Sequence, residues 1–440
     1  MRLSGWGRHP WADGALLAVR TGGDVTRRLR PAASLIARGN GRAYGDAALN
    51  PQGMLSMLPM DRLLAFDPAT GLLTCEAGVT LADILAVFGP RGWFPVVTPG
   101  TKFVTIGGAI AADVHGKNHH RDGGFGAHVR SLDLALADGR VVTCGPGREP
   151  ELFAATLGGM GLTGVILRAS FRLRPIETAW IRQETRRAAT LDDALALFEQ
   201  SGDRSYSVAW IDALAGGASL GRSVLMLGEH AVASDLPAGL RAAPLVSGRR
   251  GTLRVPCDFP GCALNRHSVA AFNEAYYRLA VPGTRLVDLE RFFYPLDALL
   301  DWNRLYGRRG FVQYQCVVPR AAAAGGLRRL LTATAASGLA SFLAVLKLLG
   351  PQGAGLLSFP LDGYTLALDF PATAPVFALF RELDAIVADH GGRLYLAKDA
   401  RMDAEALRRG YPELDRFLAA RQAWGARSIF HSLQSRRLGI

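Results

Sequence analysis

The segment Pro99–His120 brings together residue types that could hold a bulky anionic cofactor. Glycines and other small residues surround a short apolar run, and the end of the segment carries His115, Lys117, His119 and His120. Glycines allow a backbone to approach a ligand closely and to point its N–H groups at it. The small residues leave room for a flat ring, while the histidines and the lysine supply hydrogen-bond donors and positive charge. The segment therefore predicts the binding site of a flat, negatively charged cofactor.

Two further glycine loops support this interpretation. Arg38–Asp46 places three glycines around Arg42, an arrangement that suits a diphosphate. It differs from the Rossmann fingerprint, which needs a helix directly after the glycines. Leu157–Gly164 is a third glycine loop that leads into a strand. Each loop alone could be an ordinary turn, but together they predict one extended dinucleotide lying across them.

A metal site is the alternative interpretation of the histidines. His115, His119, His120 and His128 are close enough in sequence to suggest zinc. The glycines around Gly116 argue against the regular helix that would align such ligands, and no Cys, Asp or Glu stands at ligand spacing. The sequence therefore favours cofactor binding and no metal.

Lysine is rare in this chain, which makes each lysine a candidate for a specific role. The 50 basic residues include only four lysines, Lys102, Lys117, Lys347 and Lys398. Arginine does not replace lysine where size, shape or proton loss matters. Lys347 and Lys398 lie in apolar runs, and Gln313 and Gln315 share one face of a predicted strand. A salt-bridged or snorkelling lysine is the structural alternative, but the set predicts a site for a polar, anionic substrate.

The elements that must position these residues change in character along the chain. The spacing predicts a helix over Thr80–Phe88 with a threonine N-cap, and a hairpin over Val129–Cys144 that turns at Asp138–Gly139. A strand over Val165–Leu173 is expected to stop before Pro175. From about residue 177, strand-like runs alternate with amphipathic stretches at 322–336 and 376–390. The pattern predicts an α+β protein with an N-terminal cofactor part and a second part of sheet and helices.

Composition limits the class of protein. The chain has 440 residues, 49% of them hydrophobic and 20% charged, which predicts a folded protein of two domains. The net charge of +12 favours anionic partners, yet no basic arm or known motif points to nucleic acid. The N-terminus lacks a signal-peptide pattern and no long apolar run is present, so a cytoplasmic protein is expected. The spacing of Cys257 and Cys262 predicts free thiols, not a redox pair.

These motifs resemble one enzyme family along the whole sequence. The decaprenylphosphoryl-β-D-ribose 2′-oxidases, which have the vanillyl-alcohol-oxidase (PCMH) type of FAD-binding fold, are similar to this chain. His-Gly-Lys-Asn-His-His and Leu-Tyr-Leu-Ala-Lys-Asp are specific phrases of the resemblance. The similar segments are Arg38–Asn50, Pro99–Asp138, Ala155–Thr163, Gly310–Pro319, Ser341–Gly350, Leu357–Pro371 and Gly391–Arg401.

The resemblance implies a fold and a reaction. An FAD-binding domain would comprise residues 1–176 and a returning segment, 391–440, and an antiparallel-sheet substrate domain flanked by helices would comprise residues 177–390. The family oxidises the 2′-hydroxyl of a polyprenyl-phosphoryl ribose to a ketone. This is the first half of an epimerisation to arabinose for arabinan and the cell wall, and an NAD(P)H-dependent short-chain reductase completes it. Because the substrate is a lipid, a peripheral position at a membrane is expected, with contact through Leu245–Asn265.

The resemblance also implies roles for individual residues. FAD, bound without a covalent link, would be held by Arg38, Gly39, Gly41, Arg42, Ala43, Tyr44, Gly45, Pro99, Gly100, Thr101, Thr105, Ile106, Gly107, Gly108, Ala112, His115, Gly116, Asn118, His119, Gly161, Gly164 and Val165. Substrate would contact Lys117, Trp210, Gln313, Gln315, Val345, Lys347, Thr365 and Ala367. Lys398, His115 and Tyr395 are the candidate catalytic residues, and Lys347 is the expected partner of the substrate phosphate. His115 stands where the wider fold attaches FAD covalently, so the mode of attachment stays open.

Four pocket positions depart from the family pattern. Ala367 replaces a cysteine, Thr365 an asparagine, Val208 a serine and Phe293 a tyrosine. The departures predict the same reaction with a changed lipid or sugar preference. An oxidase of a soluble sugar, alditol or aldonolactone on the same fold is the alternative enzyme, and a flavin-binding subunit without turnover is the alternative class. Lys347 separates the two enzymes, because a substrate without phosphate does not need it.

Overall fold

Two antiparallel β-sheets contain most of the strand residues. The structure is a computed structural model that describes residues 1–30, 32–246, 251–261 and 263–440. Its N-terminal strands are β1 (Arg2–Ser4), β2 (Trp11–Asp13), β3 (Leu16–Ala18), β4 (Ile36–Arg38), β5 (Met54–Ser56), β6 (Leu63–Asp67), β7 (Leu72–Glu76), β8 (Trp93–Pro95), β9 (Val129–Ala135), β10 (Val141–Cys144) and β11 (Val165–Pro175). The later strands are β12 (Trp180–Ala188), β13 (Tyr206–Ile211), β14 (Ser223–His230), β15 (Leu253–Arg254), β16 (Gly283–Asp288), β17 (Leu299–Leu300), β18 (Phe311–Pro319), β19 (Ala344–Leu349), β20 (Gly363–Pro371) and β21 (Arg393–Leu394).

Helices surround and connect the sheets, which confirms the predicted α+β class. They are α1 (Gly22–Leu29), α2 (Leu81–Phe88), α3 (Ile106–Ala111), α4 (His119–Asp122), α5 (Pro150–Thr156), α6 (Leu191–Gln200), α7 (Ala238–Arg241), α8 (Arg266–Leu279), α9 (Leu289–Phe293), α10 (Ala323–Ser337), α11 (Ala374–Asp389), α12 (Ala404–Gly410), α13 (Leu414–Ala423) and α14 (Leu433–Leu438). Within the described ranges, no helix has the length and apolar composition that crossing a membrane requires.

The N-terminal part combines a small parallel sheet with a larger antiparallel one. The small sheet has the order β3-β5-β4, and the larger one has the order β10-β9-β11-β7-β6, with β8 beside the end of β11. The predicted hairpin is present, and Gly139 takes a φ of +84° in its turn, which suits glycine. Thr80 caps α2 as predicted, because its side chain accepts the N–H of Asp83. The capping threonine and the Asp-Gly turn are short-range signals, which is why both elements could be predicted from the sequence.

One predicted boundary is wrong for a tertiary reason. The strand expected to end at Leu173 continues to Pro175, since its last residues pair with β8 and Pro175 lies opposite Trp93. A proline is tolerated at the end of a strand, where no ladder hydrogen bond needs its missing N–H.

The second sheet has eight strands in the order β16-β12-β14-β13-β19-β20-β18-β21. Residues on β18 and β20 alternate between its two faces. Tyr314 packs on Phe380 of α11 with ring centroids 5.0 Å apart, so one face is covered by helices. Gln313 and Gln315 therefore point to the opposite face, which borders a cavity beside the N-terminal glycine loops.

The C-terminal segment returns to the N-terminal part. The strand β21 pairs with β18. The helices that follow return to the N-terminal part, where Phe430 forms a parallel β-bridge with Leu35. The guanidinium of Arg437 pairs at 2.8 Å with both Asp46 and Asp399. This return holds the loop after β21 against the first glycine loop. We propose that the FAD-binding domain comprises residues 1–176 and 391–440, with the substrate domain between them.

Two expectations concern a region that is described only in part. Cys262 lies outside the described residues, so the predicted thiol state of the Cys257–Cys262 pair is not tested, although Cys257 itself is exposed. The segment Leu245–Asn265 also includes residues 247–250, which lie outside the described residues too.

Candidate active site

A cavity of about 520 Å³ lies between the glycine loops and the open face of the eight-stranded sheet. Most of the predicted site residues line it, although they come from distant parts of the sequence. The predicted cofactor residues that line it are Gly39, Gly41, Arg42, Ala43, Tyr44, Pro99, Gly100, Thr101, Thr105, Gly107, Gly108, Ala112, His115, Gly161 and Gly164. The predicted substrate and catalytic residues that line it are Lys117, Trp210, Gln313, Gln315, Val345, Lys347, Thr365, Ala367, Tyr395 and Lys398.

Seven predicted cofactor residues lie behind this lining, namely Arg38, Gly45, Ile106, Gly116, Asn118, His119 and Val165. The Arg38 guanidinium donates to the carbonyl oxygens of Ser4 at 2.6 Å and Ala48 at 3.2 Å. A Cβ on Gly45 would lie 1.8 Å from the carbonyl oxygen of Asp399, so only glycine allows this approach. Both residues fix the first loop in place.

The other five shape the second loop and the core beneath it. The Asn118 side chain donates to the Val96 carbonyl oxygen at 2.8 Å, and His119 Nδ1 accepts the Gly350 N–H at 3.0 Å. A Cβ on Gly116 would lie 3.0 Å from the carbonyl oxygen of Thr98. Ile106 and Val165 are fully buried core residues. These side chains support the cavity wall from behind.

The glycine-loop wall fits an anionic cofactor. The Arg42 guanidinium stacks 4.1 Å from the Trp6 ring, and its Nε is buried without a hydrogen-bond partner among the described residues. A buried guanidinium N–H with no acceptor suits a phosphate oxygen. Gly100 has no atom within 4 Å of a Cβ built on it, so its backbone faces open space. Arg42, Gly100 and the neighbouring glycines are the residues that would hold the diphosphate of FAD.

The sheet wall is built from two adjacent rungs of β18 and β20. Gln313 lies directly opposite Asp369, and Gln315 opposite Ala367. The Gln313 amide donates to Asp369 Oδ1. The Gln315 amide donates to Thr365 Oγ1 at 3.2 Å and lies 3.0 Å from His115 Nε2. Both glutamines are thus oriented by partners, as a substrate-facing amide should be.

His115 connects the two walls. Since its Nε2 accepts from Gln315, the proton of the neutral ring is on Nδ1, which has no hydrogen-bond partner in the described chain. Burial, with Lys347 nearby, lowers the pKa of His115 well below its usual value. The imidazole is therefore neutral at physiological pH, and its Nδ1–H is a donor available to a bound molecule.

Three lysines enter the cavity with different surroundings. Lys117 Nζ donates to the Phe292 carbonyl oxygen and lies 4.2 Å from the Phe292 ring centroid, and burial lowers its pKa to about 7. Lys347 has no hydrogen-bond or ion-pair partner within residues 1–30, 32–246, 251–261 and 263–440, and burial lowers its pKa to about 8. Lys398 Nζ lies 3.5 Å from the Tyr44 ring centroid. Burial lowers the pKa of Lys398 and the carboxylate of Asp369 raises it.

The fourth lysine and the candidate Tyr395 are already engaged. Lys102 pairs with Glu290 away from the cavity lining. The Tyr395 hydroxyl donates to the Ala112 carbonyl oxygen at 3.0 Å, and its ring stacks on Phe359 at 4.5 Å. Burial raises the pKa of Tyr395, so the phenol keeps its proton. Tyr395 therefore joins the two sides of the cavity, and its hydroxyl is engaged in a hydrogen bond to the backbone.

The predicted residue Trp210 and three aromatic residues that were not predicted, Phe272, Tyr276 and Phe342, form one end of the cavity. Trp210 lies against Tyr276 with ring centroids 4.7 Å apart, and Phe272 contacts both Tyr276 and Phe342. Phe272 is 40% exposed, so this series of rings reaches from the cavity to the surface. Phe272 and Tyr276 are four residues apart on α8, a spacing that places them on one helix face.

Within the ranges that the structure describes, no three His, Cys, Asp or Glu side chains are grouped to hold a metal ion. Three of the histidines that were considered as metal ligands, His119, His120 and His128, instead contact separate backbone groups. His119 accepts a backbone N–H from Gly350, and His120 Nε2 lies 2.9 Å from the Arg204 carbonyl oxygen. His128 Nε2 lies 2.9 Å from the carbonyl oxygen of Asp122.

Comparison with known proteins identifies the family. Residues 15–145 match a family described as an FAD binding domain. The chain is 39% identical over 452 residues to the decaprenylphosphoryl-beta-D-ribose oxidase of Mycolicibacterium smegmatis, with 100% of this chain and 97% of that protein covered. It is 38% identical over 374 residues to an "uncharacterized protein in mprA 5'region" of Streptomyces coelicolor, covering 82% of this chain and 100% of that one.

More distant similarity covers a smaller part. Cytokinin dehydrogenase 4 of Arabidopsis thaliana is 30% identical over 155 residues, or 33% of this chain and 29% of that protein. The match to the Mycolicibacterium smegmatis oxidase, by contrast, covers the whole chain and confirms the family that the motifs predicted. The chain belongs to the decaprenylphosphoryl-β-D-ribose oxidase family and is an FAD-dependent oxidoreductase that acts on a hydroxyl group.

Proposed function

We propose that this protein oxidises the 2′-hydroxyl of a polyprenyl-phosphoryl-β-D-ribose to the 2′-keto sugar, as the first half of an epimerisation to the arabinose form. The observation that carries the proposal is the unpartnered ammonium of Lys347, which enters the cavity on the same sheet face as Gln315 and Thr365. A charged group enclosed in a cavity is costly unless a ligand pairs with it. A phosphate is the partner that this ammonium and its neighbouring donors suit.

The remaining residues divide the work of an alcohol oxidation. FAD, when bound, supplies the acceptor for the hydride that leaves the sugar carbon. Lys398 takes the hydroxyl proton or, as a cation, stabilises the negative charge that develops on the oxygen. Gln313, Gln315 and the Nδ1–H of His115 orient the sugar by hydrogen bonds. We expect FAD to be held without a covalent link, so acid precipitation should leave the flavin in the supernatant.

The aromatic end of the cavity suits the lipid part of such a substrate. Trp210, Tyr276, Phe272 and Phe342 offer an apolar route from the sugar site to the surface. Leu279, at the end of α8, is 77% exposed. Apolar side chains on this side of the molecule could contact the membrane that supplies the lipid, and we propose a peripheral position there. The keto product then requires a separate NAD(P)H-dependent reductase.

The altered positions face this same cavity. Val208, Phe293, Thr365 and Ala367 all line it. None of the four carries a charge, so the changes alter shape and hydrogen bonding and leave the lysines in place. We propose that they adjust the preference for lipid or sugar within the same reaction.

The direct test is an anaerobic mixture of the holoenzyme with a short-chain polyprenyl-phosphoryl ribose. Loss of the visible flavin absorption would support the proposal, since it reports hydride transfer from this substrate. Retention of the yellow colour with FAD bound would contradict it. Reduction by an aldonolactone or a free sugar would then identify the alternative enzyme.

A variant tests the role of the phosphate. Lys347→Met should raise KM for the phosphorylated substrate by roughly 10- to 150-fold, because a hydrogen bond to a charged group contributes about 1.5–3 kcal/mol. Lys102→Met is the matched control, and its KM should stay within about twofold of the parent, since Lys102 pairs with Glu290 outside the cavity lining. Equal KM values for Lys347→Met and the parent would show that the substrate phosphate binds elsewhere.

A further inference from the structure

A buried carboxylate lies next to the cavity lining, on the same face of the sheet as Gln313. Asp369 is 0% exposed, and its backbone N–H is fixed by Ser341 Oγ at 3.0 Å. Its Oδ1 accepts from Gln313, the residue opposite on β18. Its Oδ2 has no hydrogen-bond partner among the residues that the structure describes. A carboxylate buried with a free oxygen is costly, so its retention calls for an explanation.

The surroundings of Asp369 point to Lys398. The described groups that face the carboxylate are Gln313, Lys398 and the phenols of Tyr44 and Tyr306. Lys398 is the cation among them, and its Nζ lies against the Tyr44 ring. The Tyr306 hydroxyl is itself buried without a partner within the described ranges. The carboxylate, two phenols and the ammonium thus form one enclosed cluster, in which Gln313 joins the cavity to Asp369.

We propose that Asp369 is a positioning residue that controls the protonation of Lys398 from just outside the cavity lining. The proposal rests on the proposed function for its meaning in catalysis. Burial of Lys398, and to a lesser extent repulsion from Lys347, favours the neutral form of Lys398. His115 is neutral, and burial raises the pKa values of Tyr44 and Tyr306 well above the usual range, so Asp369 is the group that opposes this repulsion. Burial raises the pKa of Asp369, and Lys398 in turn lowers it.

Replacing the Asp369 carboxylate with an amide should shift the titration midpoint of Lys398 in one direction. Asp369→Asn keeps the side-chain shape and an acceptor for Gln313, but it removes the negative charge. The Lys398 ammonium then loses its stabilising partner, so its titration midpoint moves to lower pH. A nearby opposite charge shifts a pKa by about 1–3 units. A shift of about one unit or more is therefore expected.

The four lysines of the chain make a direct measurement practical. The holoenzyme is labelled with ¹³C at lysine Cε, and the Lys398 signal is assigned by its loss in Lys398→Arg. In Asp369→Asn this signal should titrate about one pH unit or more below the parent. In Asp369→Glu, which keeps the carboxylate, the Lys398 signal should titrate near the parent midpoint. This variant guards against an effect of misfolding alone. A midpoint within about 0.3 unit of the parent in Asp369→Asn overturns the proposal.

A matched control removes a carboxylate on the far face of the sheet. Asp384 pairs with Arg401 and lies outside the cavity lining. Asp384→Asn should lower the free energy of unfolding and leave the Lys398 midpoint in place. An equal shift in this variant would assign the effect to general loosening and overturn a specific role of Asp369.

The pH profile of flavin reduction gives a second readout. If Lys398 accepts the proton, the acidic limb moves to lower pH in Asp369→Asn, and if it acts as a cation, the alkaline limb moves in the same direction. KM should change less than kcat, because Asp369 does not line the cavity. The lysine titration needs no substrate. A shifted midpoint with no flavin reduction would therefore refute the proposed function alone, and normal reduction with an unshifted midpoint would refute the role of Asp369 alone.

Discussion

The two walls of the cavity use different chemistry for the same purpose, which is to receive a negatively charged molecule. The glycine-loop wall offers backbone groups and the stacked guanidinium of Arg42. The sheet wall offers side-chain amides and the ammonium groups of Lys347 and Lys398. The first wall depends on close backbone approach, while the second depends on charges kept away from water. A change of shape should therefore damage the first wall, and a change of charge the second.

The largest effect is expected where charge meets the reacting atoms. Lys398→Met should lower the rate of flavin reduction by about 10²- to 10⁴-fold, the range typical of a positioned acid–base group. FAD content should remain that of the parent, because Lys398 is not among the predicted FAD-binding residues. Stopped-flow reduction at saturating substrate, with the flavin-to-protein ratio from absorption spectra, makes the measurement. Loss of FAD together with activity would show that the walls are not separable in this way.

The glycine-loop side should respond to a single methyl group. In Gly45→Ala the new Cβ would meet the Asp399 carbonyl oxygen at 1.8 Å, so the backbone must move. We expect a loss of about 3 kcal/mol in the free energy of unfolding, at the upper end of overpacking effects. Denaturant unfolding of the holoenzyme gives the value. Gly89→Ala is the control and should be neutral or slightly stabilising, since no atom lies within 4 Å of a Cβ there.

The smallest predicted effect concerns neutral histidines behind the cavity. Burial lowers the pKa values of His119 and His230 to about 4, so both residues are neutral in the folded protein and must gain protons on unfolding in acid. Their contribution to stability is complete above about pH 6.5 and falls as the pH approaches 4. At pH 5, each of these two histidines lowers the free energy of unfolding by about 2 kcal/mol relative to pH 8.

Two variants would measure this loss. His119→Gln, which keeps an acceptor for the Gly350 N–H, should reduce the loss of stability between pH 8 and pH 5 by about 2 kcal/mol. His267→Gln, at an exposed helix start, is the matched control. A slope that His119→Gln does not change would mean that His119 is already protonated in the folded state.

The sequence predicts the wall-forming elements better than the contacts between them. The three glycine loops, the shared face of Gln313 and Gln315 and the unusual position of Lys398 all follow from residue type and short-range spacing. Asp369 escaped notice because it ends a run that reads as an ordinary buried strand, and its partner Gln313 is 56 residues away. Trp6 and Phe272 were missed for a similar reason, since isolated aromatic residues usually indicate core.

The division between lining and supporting residues was equally beyond the sequence. Arg38 and Arg42 are both arginines of the first loop, yet one guanidinium binds backbone carbonyls and the other faces the cavity. Their orientation depends on Ser4 and Trp6, which approach only in the folded chain. A motif locates a loop, but tertiary neighbours decide which of its side chains a ligand meets.

The contact of Arg437 with both Asp46 and Asp399 has a consequence for synthesis of the protein. The first glycine loop leaves the ribosome early, whereas Lys398 follows about 350 residues later and Arg437, which secures its loop, about 390 residues later. Until then the emerging chain carries the glycine-loop wall without its counterpart. The complete cavity therefore cannot assemble until the segment that contains Arg437 has been synthesised.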